Sequence, residues 1–95
     1  MSYVYTEGLK RIGRIEENGY VYDEGFRRLG RIDFDSGYIY AESGSRMGRI
    51  DDRGYIYDEG GRRHGRIERS GYVFDEMYRR IGRIGEDTTG RLIKR

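Results

Sequence analysis

The tripeptide Gly-Arg-Ile occurs five times in the 95-residue chain, and this repetition limits the possible folds more than any other feature. The copies begin at Gly13, Gly30, Gly48, Gly65 and Gly82, so they lie 17, 18, 17 and 17 residues apart. A fixed period of this kind indicates an array of identical supersecondary units. We predict one domain whose units are 3–19, 20–37, 38–54, 55–71 and 72–90. Residues 91–95, which contain Arg91-Leu92-Ile93, would form a partial strand of a sixth unit.

Each unit has the sequence pattern of a β-hairpin. Two segments of about five residues, rich in β-branched and aromatic side chains, are separated by turn residues. The 16 glycines leave no long window for a helix. The turn after Gly-Arg-Ile predicts a three-residue loop with a left-handed Gly. The loops Glu17-Asn18-Gly19, Asp52-Arg53-Gly54 and Arg69-Ser70-Gly71 would set Ile15 opposite Val21, Ile50 opposite Ile56, and Ile67 opposite Val73.

The second turn of each unit is less uniform. Gly8-Leu9, Gly25-Phe26, Ser43-Gly44 and Gly60-Gly61 suit a tight turn of even length. Met77-Tyr78 does not suit a turn that requires positive φ, because side chains with a Cβ disfavour that region. The second unit also carries one extra residue around Phe34-Asp35-Ser36, which predicts a bulge or a longer loop.

With this register, side-chain alternation divides the sheet into two unlike faces. One face holds the Val or Ile of each first strand together with the Gly and Ile of Gly-Arg-Ile. The other face holds the tyrosines, the Gly-Arg-Ile arginines and a variable position that is Ile12, Leu29, Met47, His64 or Ile81. Arginines would face aromatic rings across the strands, at about 0.5–1 kcal/mol per exposed pair. The predicted opposite pairs are Arg14–Tyr22, Arg49–Tyr57 and Arg66–Phe74.

These patterns predict an all-β fold, an antiparallel meander of ten or eleven short strands built from five tandem hairpins. Its aliphatic face consists of Val4, Ile15, Val21, Ile32, Ile39, Ile50, Ile56, Ile67, Val73 and Ile84, with Leu92 from the tail. Burying so few side chains cannot offset the entropy of ordering the whole chain, so the tyrosine face also needs cover. We therefore expect the sheet to curl into a barrel, to fold over itself, or to pack sheet on sheet in a homo-oligomer. Free sheet edges favour self-association.

No residue pattern predicts catalysis, a metal or a cofactor, so we expect a protein that is not an enzyme. His64 is the only histidine, it occupies an apolar position of the repeat, and cysteine is absent. Asp33-Phe34-Asp35-Ser36-Gly37 matches only the start of a calcium loop and lacks the bidentate Glu, which favours a plain turn. Acidic pairs such as Asp23-Glu24 would point to opposite faces and pair with Arg27-Arg28 across the hairpin.

Charge and apolar content narrow the class of partner. The 19 basic and 17 acidic side chains leave a net charge of +2, which disfavours a dedicated polyanion binder. We find no apolar run long enough for a membrane span and no leader pattern, so no membrane partner is expected. The absence of cysteine fits a reducing compartment, and the expected location is the cytoplasm.

The candidate binding face is the tyrosine–arginine surface. It comprises Tyr22, Tyr40, Tyr57, Phe74, Arg14, Arg31, Arg49, Arg66 and Arg83. Its simplest role is a second packing surface, with arginine stems covering tyrosine rings. The functional prediction is a non-enzymatic interaction or structural module that self-associates or binds another protein or peptide. The alternative is binding of single-stranded nucleic acid, which uses aromatic platforms interleaved with arginine.

The unit Gly48-Arg49-Ile50-Asp51-Asp52-Arg53-Gly54 resembles the tandem hairpin repeats of bacterial proteins of the WG-repeat type. The similarity covers these seven residues in a unit, the repeat is shorter, and the tryptophan that names the family is absent. The resemblance implies only a binding or scaffold role.

Overall fold

The computed structural model describes residues 1–94 and contains ten strands and one helix. Consecutive strands form hairpins 1 to 5, beginning with β1–β2 and ending with β9–β10. The strands are β1 Ser2–Thr6, β2 Arg11–Ile15, β3 Tyr20–Asp23, β4 Arg28–Ile32, β5 Tyr38–Ala41, β6 Arg46–Ile50, β7 Tyr55–Asp58, β8 Arg63–Ile67, β9 Tyr72–Asp75 and β10 Arg80–Ile84. The helix α1 is Glu86–Leu92.

The ten strands form a closed antiparallel barrel, which confirms the predicted all-β meander. Each strand pairs with the next in sequence, and β10 returns to pair with β1. Val4 lies opposite Ile84 at this closing seam, and Thr6 lies opposite Gly82. Closure within one chain pairs both edges of the sheet, which removes the free edges expected from an open meander.

The three turns predicted as three-residue loops after Gly-Arg-Ile have that geometry, and the second copy has the longer loop that its extra residue predicted. In the first, Glu16 N–H donates to Tyr20 O at 2.8 Å, Gly19 N–H donates to Glu16 O at 2.9 Å, and Gly19 has a φ of 94°. The predicted pairs Ile15–Val21, Ile50–Ile56 and Ile67–Val73 all occur. Because turn type fixes the register of a hairpin, the assignment of inner and outer faces is confirmed.

The second turns differ from the prediction in length and in backbone conformation. Each is a three-residue loop, not an even one, and Tyr78 at the end of loop 76–78 adopts a φ of 63°. A bulge in the following strand restores the alternation. Tyr5 pairs with Arg11 while Val4 pairs with Gly13, so two residues oppose one. The bulge turns Arg11 outward, and the odd loop therefore leaves the predicted faces intact.

The barrel interior is filled by the predicted aliphatic face. The five Gly-Arg-Ile isoleucines are buried, and Val4, Val21, Ile39, Ile56 and Val73 pack partly buried against them. The glycine of each motif permits the strands to approach closely. A Cβ added at Gly48 would lie 2.2 Å from Tyr57 O, and the four equivalent glycines meet the same obstacle. This close approach explains why the motif has no exceptions.

The predicted strand of a sixth unit over 91–95 is wrong, because Arg91 and Leu92 belong to α1. Pairing of β1 with β10 leaves no sheet edge for an eleventh strand. Thr89, Leu92 and Ile93 are buried at the end of the barrel, and this packing outweighs the low helix propensity of Gly90. Arg95 lies outside the described residues.

The tail that includes α1 closes one end of the barrel by contacting the turns of four hairpin junctions. Thr89 Oγ1 donates to Arg69 O at 3.0 Å, and Lys94 N–H donates to Asp52 O at 2.9 Å. Lys94 Nζ donates to Phe34 O at 2.8 Å, and Arg91 donates to Glu17 O. We call the opposite end the loop rim. It consists of loops 7–9, 24–26, 42–44, 59–61 and 76–78.

Candidate functional site

The predicted binding face forms a belt around the outside of the barrel, which we call the Tyr/Arg belt. Within hairpin 1 the guanidinium of Arg11 lies 4.5 Å from the ring centre of Tyr3, and between hairpins Arg14 lies 4.7 Å from Tyr22. Both contacts recur around the ring. They are Arg28–Tyr20, Arg46–Tyr38, Arg63–Tyr55 and Arg80–Tyr72 within hairpins, and Arg31–Tyr40, Arg49–Tyr57 and Arg83–Tyr5 between them.

Sequence reasoning missed half of the arginines in this belt. It predicted the arginines of Gly-Arg-Ile but not those that begin each second strand, such as Arg11, because strict alternation from Arg14 turns Arg11 inward. The bulge beside Arg11 reverses its direction. The odd length of the second loop is the signal that would have revealed these arginines, because a bulge in the following strand must then restore the side-chain alternation.

Most arginines at the start of a second strand are also held by a glutamate of the next hairpin. Arg28 Nε donates to both carboxylate oxygens of Glu42, at 2.9 and 2.8 Å, and Arg46 contacts Glu59 in the same way. The hydrogen bond from Arg28 lowers the pKa of Glu42, and the carboxylate in turn raises the pKa of Arg28. These arginines are therefore occupied by partners of the same chain.

The acidic pairs contact basic residues, but only the aspartate of each pair does so within its own hairpin, whereas Arg28 pairs with Glu42 of the next hairpin. Asp75 Oδ1 accepts the backbone N–H of Arg79 at 3.0 Å, and Asp75 Oδ2 accepts Arg79 Nε at 3.0 Å. The backbone hydrogen bond from Arg79 is the main cause of the lowered pKa of Asp75. Asp23 contacts Arg27 in the same way. Glu24 pairs instead with Arg11 across the junction between hairpins.

The sole histidine also pairs with a loop carboxylate. His64 Nε2 lies 2.8 Å from Asp58 Oδ2, and this hydrogen bond is the main cause of the lowered pKa of Asp58. The side chain of His64 is half-exposed on the outer surface. Its contact joins the start of β8 to the end of β7 and supports the loop between them.

The segment Asp33–Gly37, which matched the start of a calcium loop, is a turn that binds the tail. Asp33 Oδ1 accepts the N–H of Asp35 at 3.0 Å, and the ammonium of Lys94 donates to the carbonyl oxygens of Phe34 and Asp35. Phe34 is buried in the core, and the Arg91 guanidinium lies 3.9 Å from its ring centre. The extra residue of the second unit therefore forms a contact for α1.

The belt is irregular at hairpin 4. Arg66 lies opposite Phe74 as predicted, but its guanidinium is 5.3 Å from the ring of Tyr55. Arg63 lies 4.9 Å from the same ring. The Nε of Arg66 is buried without a hydrogen-bond partner among residues 1–94. An open cleft of about 540 Å³ adjoins this point and is lined by Arg53, Tyr55, Arg66, Glu68, Arg69, Ser70 and Ile93.

A second surface, which sequence reasoning did not single out, lies at and just below the loop rim. Hairpins 5, 1 and 2, which are neighbours in the closed ring, expose a group of large apolar side chains. We call this group the rim patch. It consists of Leu9, Ile12, Phe26, Leu29, Met77, Tyr78 and Ile81, which are between 46% and 71% exposed. Hairpins 3 and 4 carry Gly44 and Gly61 where the patch has Leu9, Phe26 and Tyr78.

Comparisons of the chain with protein-family models, with curated proteins and with solved structures find no match. The likeness of the Gly-Arg-Ile unit to WG-repeat hairpins therefore remains a resemblance. Within residues 1–94 no helix is long and apolar enough to cross a membrane. The class that the geometry defines is a closed β-barrel of five tandem hairpins with an ion-paired aromatic belt.

Proposed function

We propose that this chain is a non-enzymatic interaction module that associates with further copies of itself. The observation that carries the proposal is the rim patch, whose seven large apolar side chains lie on three adjacent hairpins. Contiguous exposed apolar surface of this kind is typical of protein–protein contacts. From composition alone, we place the protein in the cytoplasm.

The engagement of the Tyr/Arg belt within the barrel supports a binding role for the rim patch in preference to the belt. Belt arginines stack on tyrosine rings and many are paired with carboxylates, so a partner would have to break contacts that already exist. Side chains of the rim patch such as Leu9 and Met77 are largely exposed. Their burial against a partner gains the hydrophobic free energy of surface that is now in water.

Closure of the barrel changes how self-association would occur. The expectation from sequence rested on free sheet edges, and β1 and β10 pair with each other instead. Association of closed barrels requires contacts between side chains of their outer surfaces. Self-association of this chain would therefore have a different physical basis from the one that the sequence predicted.

Sedimentation velocity of the intact chain over a concentration series in the micromolar range tests this proposal. We expect a concentration-dependent shift from the 11.2 kDa monomer to a larger species. The shift should persist at raised salt because apolar burial dominates the contact. A single monomeric species at every concentration would rule out self-association.

A second candidate function is binding of single-stranded nucleic acid at the cleft beside Tyr55. The observation that favours it is the Arg66 Nε without an acceptor, next to a ring that two guanidiniums flank. A phosphate would pair with the partly exposed guanidinium of Arg66, and a base would have to displace a guanidinium in order to stack on Tyr55. Binding of a fluorescent oligonucleotide should then weaken as salt rises and be reduced by Arg66→Ala. The variants Arg49→Ala and Tyr57→Ala test the rest of the belt, and no binding at low salt excludes this function.

A further inference from the structure

The third residue of each rim loop adopts a left-handed backbone conformation. The φ values are 69° at Leu9, 64° at Phe26, 92° at Gly44, 88° at Gly61 and 63° at Tyr78. Glycine is the residue that this conformation favours, because any Cβ is strained there. Two hairpins therefore use the residue that the loop requires, and three use a large apolar residue in its place.

None of these three side chains belongs to the core, and Leu9, Phe26 and Tyr78 are 69%, 71% and 61% exposed. Phe26 has one contact with the belt, since the guanidinium of Arg14 lies 4.6 Å from its ring centre. The equivalent loops with Gly44 and Gly61 make the same backbone hydrogen bonds. Each large residue thus adds strain to the folded chain without filling its interior, and this combination is typical of a residue kept for a contact outside it.

The three positions are clustered. Hairpins 5, 1 and 2 are consecutive in the ring because β10 pairs with β1, so Tyr78, Leu9 and Phe26 occupy three consecutive positions of the five around the rim. The other four members of the rim patch belong to the same hairpins, with Met77 in loop 76–78 and with Ile12, Leu29 and Ile81 at the second residue of β2, β4 and β10. From the exposed fractions, the seven residues present on the order of 800 Å² in total, which is the most they could bury and is comparable to the area that each partner contributes to an interface of standard size.

The charges around the patch match a second copy of this surface. In the three loops of the patch, and also in loop 59–61, an acidic residue precedes the third loop position and a basic residue follows it, as in Glu24-Gly25-Phe26-Arg27. Glu24 pairs with Arg11 and Arg27 pairs with Asp23 within the barrel, so the border of the patch carries balanced charges that an identical surface can face without repulsion. A polyanion or an anionic membrane would instead select an excess of basic residues.

We propose that two copies of this chain dock rim to rim, with Leu9, Phe26 and Tyr78 as the central contacts. This inference rests on the proposed self-association and specifies its surface. Each apolar tip inserts into the partner's patch, and the loop charges form the border of the interface. The end closed by α1 points away from the contact on both copies.

The test is the variant Leu9→Gly/Phe26→Gly/Tyr78→Gly, in which every rim loop carries the glycine that hairpins 3 and 4 already have. We expect sedimentation velocity to show a dimer dissociation constant raised at least about tenfold, with a monomer that unfolds at a temperature no lower than the wild type. Ile12→Ala should also weaken the dimer, whereas Met47→Ala, at the equivalent position outside the patch, should not.

The outcomes separate this inference from the broader proposal. A wild-type dimer that the triple variant leaves intact would overturn rim docking and keep self-association. A wild type that is monomeric throughout would overturn both. Cosedimentation with vesicles of phosphatidylcholine and phosphatidylserine that the triple variant loses, without any dimer, would assign the rim to a membrane and also overturn the inference.

Discussion

Arg80 Nε donates to both carboxylate oxygens of Glu7, at 2.7 and 2.9 Å, across the seam where the last hairpin meets the first. The two residues are 73 positions apart in the sequence. The same pairing joins Arg28 to Glu42 and Arg46 to Glu59 at internal junctions, where the partners are close in sequence. The last and first hairpins therefore close the barrel through the same arginine–glutamate contact that joins neighbouring hairpins elsewhere in the ring.

Charge reversal tests the contribution of this pair to closure. Glu7→Arg and Arg80→Glu alone each place like charges together at the seam and should lower the free energy of unfolding by up to about 1 kcal/mol, since the pair is half-exposed. The double variant Glu7→Arg/Arg80→Glu should recover most of that loss. Urea unfolding measures all three. A double variant whose loss of stability equals the sum of the two single losses would show that the pair does not couple.

The close strand approach at Gly48 predicts a sharp intolerance to a methyl group. Gly48→Ala would place Cβ 2.2 Å from Tyr57 O, which forces the strands apart and should destabilise the fold by about 1–3 kcal/mol. Gly90→Ala is the matched control, because no atom lies within 4 Å of its added Cβ and helical alanine should stabilise by about 0.5–1 kcal/mol. Thermal unfolding compares them, and equal melting temperatures would contradict this account.

Backbone strain at the rim can be measured without any steric clash. Gly61 has a φ of 88° and no atom within 4 Å of an added Cβ, so Gly61→Ala isolates the cost of a side chain in this conformation. We expect a loss of about 1–2 kcal/mol, and a gain of similar size for Tyr78→Gly. Chemical denaturation at low protein concentration, where the monomer dominates, provides the comparison. If Gly61→Ala leaves the stability unchanged, a side chain in this backbone conformation costs nothing, and the strain inferred at Tyr78 is contradicted.

The tail should be essential for stability because Leu92 completes the core. Leu92 is 3% exposed against the five Gly-Arg-Ile isoleucines. Leu92→Ala should cost about 2–5 kcal/mol, as is usual for a buried leucine. Ile81→Ala, an exposed aliphatic position, should change stability little. Urea unfolding of both variants measures the difference, and a tolerated Leu92→Ala would mean that α1 does not close the barrel.

Stability should fall on acidification because loop carboxylates have lowered pKa values. The folded pKa of Asp75 lies below that of the unfolded chain, mainly through the backbone N–H of Arg79. Protons therefore bind more readily to the unfolded state, and stability is lost as the pH falls below about 4 towards the folded pKa. Asp75→Asn keeps an Oδ1 acceptor without the titration. Its melting temperature should decrease less between neutral and acidic pH than that of the wild type, and an equal decrease would contradict this cause.

Sequence reasoning succeeded where the determinants were local. The three-residue turn ending at Gly19 placed Ile15 opposite Val21, and this register assigned the inner and outer faces. It failed at Tyr78, because a left-handed backbone at a large residue is unfavourable on intrinsic grounds and is imposed by the repeat. It also failed at Arg11, whose outward direction depends on a bulge that compensates for the odd loop.

Of the two candidate surfaces, the Tyr/Arg belt was predicted in part from the sequence and the rim patch was not. The pairing of Arg14 with Tyr22 follows from register and was predicted. The rim patch was not predicted, because Tyr78 of the last hairpin joins Leu9 and Phe26 only when β10 pairs with β1. In the sequence, these residues look like unrelated exceptions to a glycine position.

The amino-acid sequence alone specified the hairpin period, the register and the residues that face inward, since side-chain alternation and turn chemistry act over a few residues. Closure into a ring and the helical tail arose only from packing between distant segments. Lys94 contacts Phe34 across 60 residues and leaves no periodic trace in the chain, because the energy of this contact depends on a surface that exists only once the strands have assembled. The contact of Arg80 with Glu7 repeats the periodic contact of the internal junctions, but only the closed ring brings its two partners together across 73 residues.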